Sequence, residues 1–98
     1  MIFIFTNETT NRWYEGAWQT LYEGNYDRVF KTALKIVTDK GLAEDVAEEA
    51  FVSAFLKIKT LKDKSKFGAW VCSIAKNVAK NALKQKVNRD NVQHATIM

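Results

Sequence analysis

Lys76, Lys80 and Lys84 recur every fourth residue, and Asn77, Asn81 and Gln85 recur in step beside them. On a helix these are two neighbouring rows, one cationic and one of amides. Lysines sit against phosphates, while amides both donate to and accept from base edges, so this face suits nucleic acid better than a carboxylate-lined protein. An ordinary solvated helix face would account for a charge row alone about as well. A second pair of rows has the opposite sign, with Glu44/Glu48 and Asp45/Glu49 also four apart. The catalytic inventory is short. The chain has no glycine-rich phosphate loop and no Cys/His cluster at metal spacing, and its one histidine, His94, is isolated in a polar tail. Its carboxylates lie on an exposed face, with no sign of the burial that raises a pKa for acid–base work. The expectation is a binding module and not an enzyme, with no metal or nucleotide cofactor.

The basic rows belong to the stretch that organises the chain, Lys66 to Lys86. Phe67, Trp70, Val71, Ile74, Ala75, Val78, Ala79, Ala82 and Leu83 hold the i, i+3, i+4, i+7 pattern of one helical face. The acidic rows lie on a helix predicted from about Leu42 to Lys59, whose apolar face is Ala43, Val46, Ala47, Ala50, Phe51, Ala54, Phe55 and Ile58. Acidic side chains near a helix N-terminus favour its dipole, but that effect fades beyond the first turn and leaves Glu48 and Glu49 to be explained by a basic partner. Upstream, Trp13, Tyr14, Ala17, Trp18, Leu21 and Tyr22 start a stripe that continues in phase through Tyr26, Val29, Phe30, Ala33, Leu34 and Val37. Gly24-Asn25 interrupts it, so the segment is either one long helix with a weak point or two helices meeting there. Asn7 or Asn11 could cap it, Asp39 the acidic helix and Ser65 the basic one. Residues 1–12 form an N-terminal extension in which the apolar MIFIF is a short strand or a flap on the helices. Residues 13–86 form the helical domain, and residues 87–98 read as a frayed tail or the start of a linker.

Ninety-eight residues, 47% of them hydrophobic, bound the answer to one modest core. With no proline and four glycines, long helices are favoured and the fold class is all-α, a compact bundle of three to four helices. Cys72 is the one cysteine and cannot close an internal disulfide, which makes the cytoplasm the default location. MIFIF is too short for a membrane span and lacks the flanks of a signal peptide. The net charge of +4 hides its own distribution. Between Leu42 and Leu56 the charges are Glu44, Asp45, Glu48 and Glu49 alone, whereas from Lys57 to Arg89 nine lysines and Arg89 face Asp63 alone. Acidic and basic blocks imply two partners on two surfaces, the second of them a polyanion.

From about Trp18 to Gln85 the chain resembles region 2 of bacterial sigma factors, particularly the compact extracytoplasmic-function (ECF) class. The resemblance rests on LYEGNYDRVFKTALKIVTDKGLAEDVAEEAF (Leu21 to Phe51), on SKFGAW (Ser65 to Trp70) and on IAKN (Ile74 to Asn77). It implies a transcription-initiation module whose acidic helix docks on the clamp helices of the RNA polymerase largest subunit through Asp45, Glu48 and Glu49, with Phe51 as packing support. It implies further that the basic loop and last helix recognise and melt the promoter −10 element and hold extruded non-template bases. The matching positions are Lys62, Lys64, Lys66, Ser73, Lys76, Asn77, Lys80, Asn81 and Lys84. An anti-sigma factor is a further partner the resemblance allows. Glu48 stands where the family commonly has glutamine and Asn81 where aspartate is frequent. Ser73-Ile74 takes the place of the adjacent tryptophans of primary sigma factors, which implies weaker and more sequence-demanding melting. After Lys86 only twelve residues remain, too few for a helix-turn-helix that reads a −35 element, so the sequence is expected to be an excised domain or a truncated factor. Two rival readings stand beside this one: a helical protein-interaction or adaptor module with a merely solvated basic face, and a single-strand binder without promoter preference.

Overall fold

A computed structural model describes the backbone of residues 8–97 and the side chains of residues 16–89. Three helices make the described chain: α1 (Glu8–Val37), α2 (Lys40–Lys57) and α3 (Phe67–Ile97). Two single 3-10 turns, Ile58–Thr60 and Lys64–Lys66, connect α2 to α3. The expected all-α bundle is what the chain forms, with each helix packed against both others. The MIFIF stretch, Asn7 and the side chains of Trp13, Tyr14 and His94 lie outside the described residues.

The stripe upstream of Val37 forms one helix and not two. Gly24 and Asn25 do not break it, because the Asn25 amide donates to the Leu21 carbonyl at 2.8 Å and Tyr22 and Tyr26 on either side pack on Phe51. Tertiary packing overrides a weak local propensity here. Asn11 lies inside α1 and so does not cap it. The helix stops at Thr38, whose φ of 54° places a β-branched residue in the left-handed region, and whose N–H still closes onto the Leu34 carbonyl at 2.9 Å. Asp39 then caps α2 as expected, accepting from the Leu42 N–H at 2.9 Å. α3 begins differently from expectation. Asp63 and not Ser65 accepts at its entry, taking bonds from the Ser65 N–H (3.0 Å) and hydroxyl (2.6 Å). Those bonds, the hydroxyl first, hold the exposed Asp63 carboxyl below the usual carboxylate range. The helix also runs on to Ile97, past Lys86 where the apolar stripe ends. No glycine or proline follows Gly68 to stop it.

Asn25 and Arg28 of α1 close on Gly68 of α3, and the Thr32 hydroxyl lies 3.7 Å from Cys72 Sγ, so α1 and α3 advance in the same direction. The core has two parts. One is aromatic, with Phe51 fully buried between Trp18, Tyr22 and Tyr26 of α1 and Phe67 of α3, at ring separations of 4.7–6.4 Å. The other is built from small side chains, Ala33, Val37, Ala43, Val46 and Ala79, which let the three helices approach closely.

Candidate functional site

The acidic face is carried by α2, whose inner face of Ala43, Val46, Ala47, Ala50, Phe51 and Ala54 is buried. Because α2 starts at Lys40, its first turn holds no acidic residue. The helix dipole therefore explains Glu44 and Asp45 less well than their sequence positions imply. Glu44, Asp45 and Glu49 are exposed, and among the described residues none of the three has an ion pair. Glu48 differs from them. It is half-buried and accepts a 2.6 Å hydrogen bond from the Tyr22 hydroxyl of α1. Phe51, assigned a supporting role, is wholly inside the core.

Tyr22 was not legible as part of this face, since its partner lies 26 residues away. Burial first, then the bond to Glu48 and its negative charge, pushes the Tyr22 phenol above its ordinary value; Tyr26 is raised by burial and by Glu48 and Glu44. A group with a raised folded pKa stabilises the fold fully below its unfolded pKa, near 10, and loses that contribution as pH rises through the folded value. Stability is therefore expected to fall above about pH 10. Tyr22→Phe should weaken the alkaline dependence and cost about 1.5–3 kcal/mol at neutral pH, the loss of a hydrogen bond to a charged acceptor. Urea titrations at pH 7 and pH 10.5 check both, and an unchanged alkaline slope in the variant would remove Tyr22 from the account.

The basic surface comes from the 3-10 turn and from the outer face of α3. Lys62, Lys64, Lys66, Ser73, Lys76, Asn77, Lys80, Asn81 and Lys84 are all exposed. The buried stripe of Phe67, Val71, Ala75 and Ala79 forces this arrangement by pointing the helix's other side outward. Lys64 is tied down, its ammonium donating to the Ile58 carbonyl at 3.0 Å and to the Leu61 carbonyl at 2.5 Å. Ile58 opens the first 3-10 turn and Leu61 caps it, so the ammonium clasps that turn from one end to the other. Trp70 is half-buried at the edge of the aromatic cluster, 5.9 Å from Phe67.

The two faces meet. A groove of about 220 Å³ between α2 and α3 has Leu42, Val46, Val78 and Ala82 along its apolar part and Asp45, Glu49, Asn81 and Gln85 along its polar part. The amide row thus borders the acidic helix at Asn81 and Gln85, while Lys76, Lys80 and Lys84 stand exposed on the outer side of α3. Among the described residues no cluster of His, Cys, Asp or Glu could hold a metal ion. No described helix is long and apolar enough to cross a membrane.

The family model for sigma-70 region 2 matches residues 21–89, more than half of the chain. The chain belongs to the sigma-70 region 2 family. Among curated proteins it is similar to a probable RNA polymerase sigma factor of Haemophilus influenzae, 42% identical over 50 residues, which covers 51% of this chain and 26% of that protein. It is also similar to the ECF RNA polymerase sigma factor SigW of Bacillus subtilis, 28% identical over 60 residues, which covers 61% of this chain and 32% of that protein. The chain thus spans about a third or less of the length of these relatives. No solved structure matches it.

Proposed function

We propose that this chain is a sigma factor region 2 module of the ECF class that docks on the clamp helices of RNA polymerase through α2 and recognises and melts the promoter −10 element through α3. The observation that carries the reading is the placement of opposite charges on the outer faces of two adjacent helices in a domain of this family: exposed Asp45 and Glu49 on α2, exposed Lys76, Lys80 and Lys84 on α3. Glu48 has a different part in this reading, holding α1 against α2 through Tyr22 while Asp45 and Glu49 reach the partner. Melting is driven by binding energy, with an extruded base held near the Lys62–Lys66 turn and phosphates tracked by the lysines. The site of action is the cytoplasm, where polymerase and promoter are.

Titration of the chain against a clamp-helix fragment of the polymerase largest subunit tests the protein contact, and a labelled single-stranded oligonucleotide of −10 type tests the other. Lys80→Glu is expected to weaken oligonucleotide binding and to reduce the magnitude of its log–log salt slope by at least about 0.7, the increment for one phosphate contact on a single strand. Binding to the clamp fragment should be unchanged. A scrambled oligonucleotide that binds as well as the −10 type would replace promoter recognition with general single-strand binding, and no saturable binding to a folded clamp fragment would favour an adaptor.

A further inference from the structure

Counted back by fours from Lys84, the cationic row of α3 reads Lys80, Lys76, Cys72 and Gly68. Two positions between the lysines of the helix and those of the turn ahead of it therefore carry no charge. Both lie along the seam with α1. Thr32 stands against Cys72, and a β-carbon at Gly68 would meet Arg28 Nη1 and Asn25 Oδ1 at 2.7 Å each. Glycine lets the guanidinium rest on the α3 backbone at that point of the row. Arg28 is exposed, and among the described residues its guanidinium has no ion pair or hydrogen bond; the ion pair on α1 joins Lys31 to Asp27 at 2.8 Å. An arginine placed against a neighbouring helix but left without a protein anion keeps its donors for another one.

We infer that Arg28 is a nucleic-acid contact of this domain, supplying from α1 the cation that the row on α3 lacks at Gly68. A DNA strand passing from the Lys64–Lys66 turn onto α3 then meets a phosphate contact about 12 Å along the axis before Lys76, the rise of eight helical residues. The glycine has a part in the contact because it sets where the guanidinium lies. This inference rests on the nucleic-acid reading of α3, and its test separates the two.

The 98-residue chain and three variants, Arg28→Gln, Gly68→Ala and Lys80→Gln, are titrated with a labelled single-stranded oligodeoxynucleotide across a range of salt. Arg28→Gln is expected to lower affinity and to reduce the slope by about 0.7, as Lys80→Gln does. Gly68→Ala removes no charge, and alanine favours a helix, while the nearest atoms it displaces, Arg28 Nη1 and Asn25 Oδ1, are side-chain ends that make no hydrogen bond among the described residues. It should therefore bind DNA more weakly with a thermal midpoint equal to or above that of the parent. If Lys80→Gln lowers the slope and Arg28→Gln does not, Arg28 is no contact and the function stands. If Arg28→Gln lowers it but Gly68→Ala binds like the parent, a positioned contact is ruled out in favour of diffuse charge. If neither charge variant changes the slope, the nucleic-acid reading fails and the inference fails with it.

Discussion

Phe51→Ala is expected to destabilise the chain by about 3–5 kcal/mol, the usual cost of truncating a buried aromatic side chain. A domain of this size has about 5–15 kcal/mol in all, so much of its stability depends on one ring. The reason is convergence. Phe51 is fully buried and meets Trp18, Tyr22 and Tyr26 on one side and Phe67 on the other, joining all three helices at one point. Rings of that size cannot collapse into the space without moving a helix, and edge-to-face and stacked contacts are lost along with the buried area. Leu56, five residues on, is the natural control. At 75% exposure it should tolerate alanine within about 0.5 kcal/mol. Urea unfolding of both variants measures the contrast, and equal midpoints would mean that Phe51 is not where the helices meet.

The second large effect is expected at Glu49, in binding and not in folding. Glu49→Lys should weaken docking to the clamp fragment by about tenfold or more, a loss of ~1.4 kcal/mol or greater, with the deficit shrinking as salt rises. Stability should be unchanged or slightly improved. Glu49 is exposed and has no ion pair among the described residues, and it sits four positions after Asp45, so the parent carries a like-charge pair that lysine turns into an attractive one worth about 0.2–0.5 kcal/mol. DNA affinity should hold or rise slightly, since the variant is more cationic. Loss of DNA binding with docking intact would reverse the assignment of the two faces.

Much of this arrangement is legible in the chain. The face of α2 from Ala43 to Ala54 is a plain helical stripe, and Asp39 stands next to a break, so element and cap follow from local chemistry. The exposure of Lys76, Lys80 and Lys84 follows likewise from Val71, Ala75 and Ala79 being inside. What could not be read needed knowledge of partners distant in sequence. Gly24-Asn25 is a break or not according to whether Tyr22 and Tyr26 find Phe51. Glu48 looks like its neighbours until Tyr22 reaches it, and Arg28 resembles any surface cation until α1 and α3 are set in register. Asp63 and Ser65 are both good caps two residues apart, and a 3-10 turn, which local propensity does not forecast, decides between them.

Thr38 has a consequence for how this domain can change. A β-branched residue at φ 54° costs roughly 1–2 kcal/mol relative to a residue at ease there, so the sharp return from α1 to α2 is imposed by the packing of the two helices and not preferred by the corner itself. Stability at that corner is below what the same backbone could have with glycine, which leaves the chain a reserve at a residue that belongs to neither functional face. Substitutions that retune the acidic or the basic surface at some cost in folding can be offset at position 38, so partner specificity and stability in this domain are able to evolve separately.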